Sequence, residues 1–217
     1  MIMRSGRLLL TALVTCAAAL HAQIADTARA NRMLNRLTAK LRADATLPDS
    51  LRRLSAAAFV SPANTNEAAL LDDSTSSLLL RTFAATVHQV PESLCGSFLG
   101  GSPMPTGDLE IMLPYADSST LNQWSTVLER IVRARAHPVS RRTPSDSVMK
   151  ATFIGLYSRL GIPDQQRLMR IAQHPPPTPS DACWSIRVVM DGMAALPVQD
   201  AGPTVRAMFG QVSPRRQ

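Results

Sequence analysis

Apolar residues recur along this chain three and four positions apart, the period of one face of an α-helix. Met33, Leu34, Leu37 and Leu41 share such a face and predict a first helix from about Asp26 to Arg42. Pro48 and Asp49 open a second segment carrying Leu51, Leu54 and Phe59. A third holds Leu71, Leu78, Leu79, Phe83 and Val87 and stops before Pro91, with Asp72-Asp73-Ser74 reading as a break and a fresh N-cap. Leu121, Trp124, Leu128 and Ile131 repeat the spacing after Ser118-Ser119-Thr120.

Thr143-Pro144-Ser145-Asp146 has the form of a helix start: a capping Thr, Pro in the first turn and an acid at the third position. Met149, Phe153, Leu156 and Leu160 then line one face, and Gly161 supplies the stop. Ser180-Asp181 is expected to cap the helix with Cys183, Ile186, Met190 and Met193 on its inner stripe. Strand-like alternation is scarce, so the predicted fold is all-α, with seven or eight helices.

An apolar residue stands directly before proline in Leu47-Pro48, Val90-Pro91, Leu113-Pro114, Ile162-Pro163 and Leu196-Pro197. The residue before Pro is driven out of helical geometry, whereas Pro itself suits a first helical turn. Each pair predicts a sharp corner between helices, and together they predict helical hairpins stacked on one another. Residues 100–107 and 174–179, rich in Gly and Pro, are expected to be loops, and 211–217 a frayed tail.

The first 22 residues follow another pattern. Arg4 and Arg7 precede an apolar run from Leu8 to Leu20, and small residues follow it. That is the layout of a cleavable secretory signal peptide, with cleavage after Ala19 or Ala22. The run is shorter than the ~20 apolar residues that a membrane-spanning helix needs. Lipidation at Cys16 is a rival fate, but Thr15 suits that processing poorly. The expected organisation is therefore signal peptide 1–22, one helical domain 23–210 and tail 211–217, with a periplasmic or secreted destination.

Composition sharpens this picture in three ways. Hydrophobic residues are 45% of the chain and charged ones 18%, enough apolar content to exclude a disordered chain. Aromatics are only 4%, so the core must be aliphatic. The formal charge of +7 is carried almost wholly by arginine, Lys40 and Lys150 being the only lysines, a bias expected of a GC-rich bacterial genome.

Loss of Cys16 with the leader would leave Cys95 and Cys183. In an oxidising compartment they could be bridged, which would stabilise the fold by about 4–5 kcal/mol, or could stand as two separate buried thiols. With no CxxC in the sequence, redox and zinc-ribbon readings have no support.

Candidate chemistry is sparse. Ser147-Val148-Met149-Lys150 fits the S-x-x-K spacing of the nucleophile in penicillin-binding proteins and serine β-lactamases. No lysine follows Lys150 and no S-D-N occurs, so the partner motifs are missing and an ordinary helical turn is expected. His21, His88, His137 and His174 stand singly, without metal-ligand spacing. Asp108-Leu109-Glu110 reads as an acidic helix start. No catalytic, cofactor-binding or metal-binding residue is assigned, and no cofactor is expected.

Two basic stretches remain. Arg29, Arg32, Arg36 and Lys40 run at helical spacing opposite the leucine stripe of the first helix. Arg130, Arg133, Arg135, Arg141 and Arg142 crowd another helix end. They admit contact with anionic lipid, lipopolysaccharide or an acidic protein, or simply a solvated face. Nucleic acid is excluded as a partner because no stacking aromatics accompany the arginines and the leader sends the chain away from it. The expected function is a non-enzymatic binding or structural module of the bacterial envelope. The alternatives are an exported enzyme whose site is not legible in sequence, and a peripheral binder of anionic surfaces.

Overall fold

The computed structural model describes residues 25–55, 58, 69–97, 108–139, 145–173 and 178–209. The leader, Phe59, most of the two expected loops and the tail lie outside them. Among the described residues the fold is all-helical, with ten α-helices and no strand. They are α1 (Thr27–Ala43), α2 (Asp49–Arg52), α3 (Asp73–Gln89), α4 (Glu92–Ser97), α5 (Asp108–Met112), α6 (Ser118–Ala136), α7 (Asp146–Arg159), α8 (Ile162–Gln173), α9 (Pro179–Ala194) and α10 (Val198–Phe209). A 3₁₀ turn, Leu113–Tyr115, joins α5 to α6. The count exceeds the expected seven or eight because α4 and α5 have only six and five residues. That is too short for a periodic apolar signal.

Side-chain oxygens start the long helices. Asp26 Oδ1 accepts from the Arg29 amide at 2.8 Å, Asp72 from Thr75 at 2.6 Å and Asp117 from Thr120 at 2.7 Å. Each satisfies an N–H that has no partner inside the first turn. Asp72 is thus the cap its sequence suggests. At α9 the expectation needs correction: the cap is Thr178, not Ser180-Asp181. Its hydroxyl accepts from the Asp181 amide at 3.1 Å, and Pro179 is the first helical residue rather than part of a loop. Proline at the first position starts the helix two residues earlier than the acid suggests.

The prolines of these five pairs stand at or next to helix starts, whereas Pro203 lies inside α10. Pro48 caps α2, Pro91 precedes α4, Pro114 lies in the 3₁₀ turn, Pro163 in the first turn of α8, and Pro197 directly before α10. The most extensive packing, however, joins helices distant in sequence: α9 with α4 and α3, and α3 with α10.

α3 is the central element, touching α6, α9, α10 and the 3₁₀ turn. It is buried on most of its surface, leaving only an edge of Ser74, Arg81 and His88 exposed, yet many of its inward residues are hydroxylic: Thr75, Ser76, Ser77, Thr82 and Thr86. Small side chains let neighbouring helices approach, and back-bonding to the preceding turn satisfies the Thr82 and Thr86 hydroxyls, while the Ser76 hydroxyl is buried without a hydrogen-bond partner. Thr82 donates to Leu78 O and Thr86 to Thr82 O, each at 2.7 Å. The Thr86 oxygen also accepts from Trp124 Nε1 at 2.8 Å, tying α6 to α3. Trp124 meets Phe83 edge to face, ring centres 6.3 Å apart. It is the one aromatic in a buried core otherwise built, among the described residues, from aliphatic and sulfur-bearing side chains.

Cys95 on α4 and Cys183 on α9 stand at disulfide distance and are bonded, their Cα atoms 5.0 Å apart and both side chains fully buried. Of the two readings the sequence allowed, the separate thiols drop out. Gly96, beside Cys95, makes the close approach possible. A Cβ there would fall 2.6 Å from Pro179 Cα, inside the backbone at the start of α9.

Candidate functional site

An apolar concavity lies between α7, α8 and α9. Its walls and floor are Phe153, Ile154, Leu156, Tyr157, Leu160, Leu168, Val188, Val189 and Gly192, around a volume of about 340 Å³. Apolar residues surround α7 instead of forming one stripe. The helix therefore cannot bury them all against the body of the molecule. Leu156 is 8% exposed and reaches inward, whereas Ile154 is 58% exposed and forms an open wall. α8 buries no residue fully, and Ile162 and Met169 on it are also exposed. Gly192 keeps the floor open, since a Cβ there would touch Leu156 Cδ2 at 3.4 Å.

Few polar groups reach this trough. Its one lining hydroxyl, Tyr157 Oη, donates to Gln165 O at 3.2 Å, in a clasp completed by Gln165 Nε2 on the carbonyls of Tyr157 and Leu160. That clasp fixes the α7–α8 corner. Exposed cations stand on the same two helices: Lys150, one turn ahead of Phe153 and Ile154, and Arg159 and Arg170. Arg167 is committed elsewhere. It donates to Asp181 at 2.9 Å and lies 4.2 Å over the ring of Trp184, pinning α8 to α9. The bonds from Arg167 and Thr178 hold the Asp181 carboxyl below its ordinary range.

The sequence candidates are scattered over the surface. Ser147 bonds Ser145 at 2.8 Å in the first turn of α7, and Lys150 is exposed one turn on. His88, in the last turn of α3, lies 2.9 Å from Asp191 Oδ1, with both side chains about half exposed. His137 is the exposed C-cap residue of α6. Asp108 opens α5. Among the described residues no group of three or more His, Cys, Asp or Glu side chains could hold a metal ion.

The second basic stretch is largely spent on structure. Arg133 donates to Glu129 at 3.1 Å and reaches Asp44 at 2.7 Å, while Arg130 bonds Thr75 at 3.1 Å. Arg141 and Arg142 lie outside the described residues. Lys40, from the first stretch, pairs with Glu129 at 2.6 Å. Burial raises the Glu129 carboxyl, but the bonds from Lys40 and Arg133 outweigh it and leave it below its ordinary value.

The other three cations of the first stretch do not point directly away from the leucines. Arg29, Arg32 and Arg36 flank the seam where α1 meets α6, together with Met33. Arg32 and Arg36 stand one turn apart on a flank of α1, and a set that includes the buried Met33 cannot face wholly outward.

Two arginines carried no signal in the sequence. Arg187, on α9, donates Nε to Val87 O and Nη2 to Val90 O, each at 3.0 Å, and so closes the carbonyl end of α3. Arg206, nearly buried in α10, reaches Asp73 at 3.3 Å. Isolated arginines in apolar stretches were the only clue to either. Among the described residues no helix is long and apolar enough to cross a membrane. Compared with known protein families, curated proteins and solved structures, the chain matches none.

Proposed function

We propose that the protein is an exported, non-catalytic binding module whose α7–α8–α9 trough receives an acidic amphipathic helix of a partner protein. The trough itself carries this reading. A small-molecule site ordinarily sets a few polar groups among its apolar walls to fix the ligand. Here the lining is apolar, and its single hydroxyl is occupied by Gln165 O. Such a surface suits rows of apolar side chains entering from a helix.

The charge of the partner follows from the cations on α7 and α8. Lys150, Arg159 and Arg170 stand exposed on the two outer helices, and the whole chain carries +7. Complementary charge would steer an acidic helix toward this face. Export is supported by the leader pattern in residues 1–22 and by the Cys95–Cys183 pair, which suits an oxidising compartment. An enzyme would need a nucleophile or an acid–base pair facing a cleft. The nearest approach, His88 with Asp191, is an exposed pair outside the trough.

Two fluorescent synthetic helices with identical leucine faces test the reading, one with glutamates and one with lysines on the polar side. The acidic helix is expected to bind at least tenfold more tightly, and Ile154→Asp to weaken it by about tenfold, equivalent to ~1.4 kcal/mol. Ile154 is an open wall, so the fold should tolerate the change. Equal affinity for both helices, or binding indifferent to Ile154→Asp, would overturn the proposal.

A further inference from the structure

The seam between α1 and α6 holds a second concavity, distinct from the apolar trough. Arg29, Arg32, Met33 and Arg36 of α1 face Ser118, Leu121 and Asn122 of α6 across a cleft of about 260 Å³. Its hydrogen-bonding groups are mostly donors. Among the described residues Arg32 and Arg36 form no ion pair, and the Ser118 hydroxyl and Asn122 side-chain amide form no hydrogen bond. Arg29 Nε is buried without a hydrogen-bond partner, its nearest acid oxygen, Asp26 Oδ2, being 3.6 Å away.

The two neighbouring acids are already engaged. Asp26 caps α1 through the Arg29 amide. Asp117 caps α6 through Thr120 and accepts from Gln89 Nε2 at 3.2 Å through its other oxygen. Neither carboxylate spans the cleft to Arg32 or Arg36. Lys40 and Arg133 on the same two helices are, by contrast, paired with Glu129. The cleft is where positive charge and unused donors coincide.

We propose that this cleft binds a phosphate group, as a phosphomonoester or diphosphate dianion. Arg32 and Arg36 hold it from one wall, Ser118 and Asn122 from the other, and Arg29 at the end. The chemistry of the donors selects that class. Guanidinium presents a planar fork that meets two oxygens at once. Residues four apart on a helix lie about 6 Å from each other, so one tetrahedral group can reach both forks. A phosphomonoester carries roughly −1.5 to −2 charges near neutral pH, which balances two otherwise unpaired arginines, whereas a carboxylate balances one. Such a group occurs both on free phosphorylated molecules and on lipid headgroups.

The full-length mature protein, with its disulfide intact, allows both sources to be tested. Calorimetry would use inorganic pyrophosphate, with acetate as the carboxylate control. Cosedimentation would use vesicles of phosphatidylcholine containing phosphatidic acid, with phosphatidylcholine alone as control. The variants are Arg32→Gln with Arg36→Gln, Asn122→Asp on the opposite wall, and Arg159→Gln as a distant surface control. All four positions are exposed, and thermal unfolding would verify that each variant folds.

Binding of pyrophosphate in preference to acetate, weakened at least tenfold by Arg32→Gln/Arg36→Gln and by Asn122→Asp but less than twofold by Arg159→Gln, supports the site with a free ligand. The same variant pattern on phosphatidic acid vesicles alone supports it with a lipid ligand. Absence of binding to both probes, or equal losses from Arg159→Gln, overturns it. None of the cleft residues lines the trough, so failure here leaves the helix-binding proposal to its own test.

Discussion

Single carboxylates set both where the helices begin and how the molecule should answer acid. The Thr120 amide lowers the Asp117 carboxyl below its ordinary value of 3.8. The Thr46 hydroxyl and amide do the same for Asp44, with help from Arg133. Glu129 and Asp181 are lowered by their arginine and lysine partners, in Glu129 against the opposing effect of burial. A carboxyl lowered in the folded state contributes stability that is fully present above its unfolded value and is lost as pH falls through the folded one. The melting temperature should therefore stay level from neutrality to about pH 5 and fall progressively below pH 4. Circular dichroism melts from pH 7 to pH 2.5 would check this, and a steady decline beginning at pH 6 would contradict it. At this scale the sequence was partly legible. Asp72 announced its role because it follows an apolar residue and precedes a helical run. Thr178 did not, since the prolines around it read as loop. Arg187 could not be found, because its acceptors are carbonyls about a hundred residues away in sequence.

At the scale of the element, the long amphipathic helices were written plainly. α1, α6 and α9 fold where their apolar spacing indicates, because each buries one face and leaves the other wet. α3 was harder to read. Most of its threonines and serines look polar in the sequence and are buried in the fold, Thr82 and Thr86 hiding their hydroxyls by back-bonding. Thr86 is the position where this matters most, because its oxygen is the acceptor for the Trp124 indole. Thr86→Val removes that acceptor and leaves a buried N–H unpaired, at a cost of about 1–3 kcal/mol. Urea unfolding would measure the loss, and Thr126→Val, at an exposed position on α6, should change stability much less. The cleft and the trough were not legible at all as sites. The cleft joins helices far apart in sequence and the trough three successive ones, and helical spacing within one segment says nothing about which face meets which. The arginine run was visible, but not which of its members would find acids.

Across the whole molecule, the α4–α9 link gathers the two ends of a long excursion. Cys95 and Cys183 are 88 residues apart, so the bridge restricts much of the unfolded chain. Replacing both with serine should lower stability by about 4 kcal/mol while leaving the native helix content unchanged. Chemical denaturation of the variant against the oxidised parent would give the difference, and a loss below about 1 kcal/mol would mean that the unfolded chain is already held by other means.

The same bond gives the chain a closed covalent circuit that encloses α5 to α8, including the corner that walls the apolar trough. Severing any single peptide link within that circuit cannot release a fragment. The two pieces travel together through denaturing electrophoresis and part only when thiol is added. A protein exposed to the proteases of an extracytoplasmic space could thus be nicked once between residues 95 and 183 and still hold its trough helices beside α9.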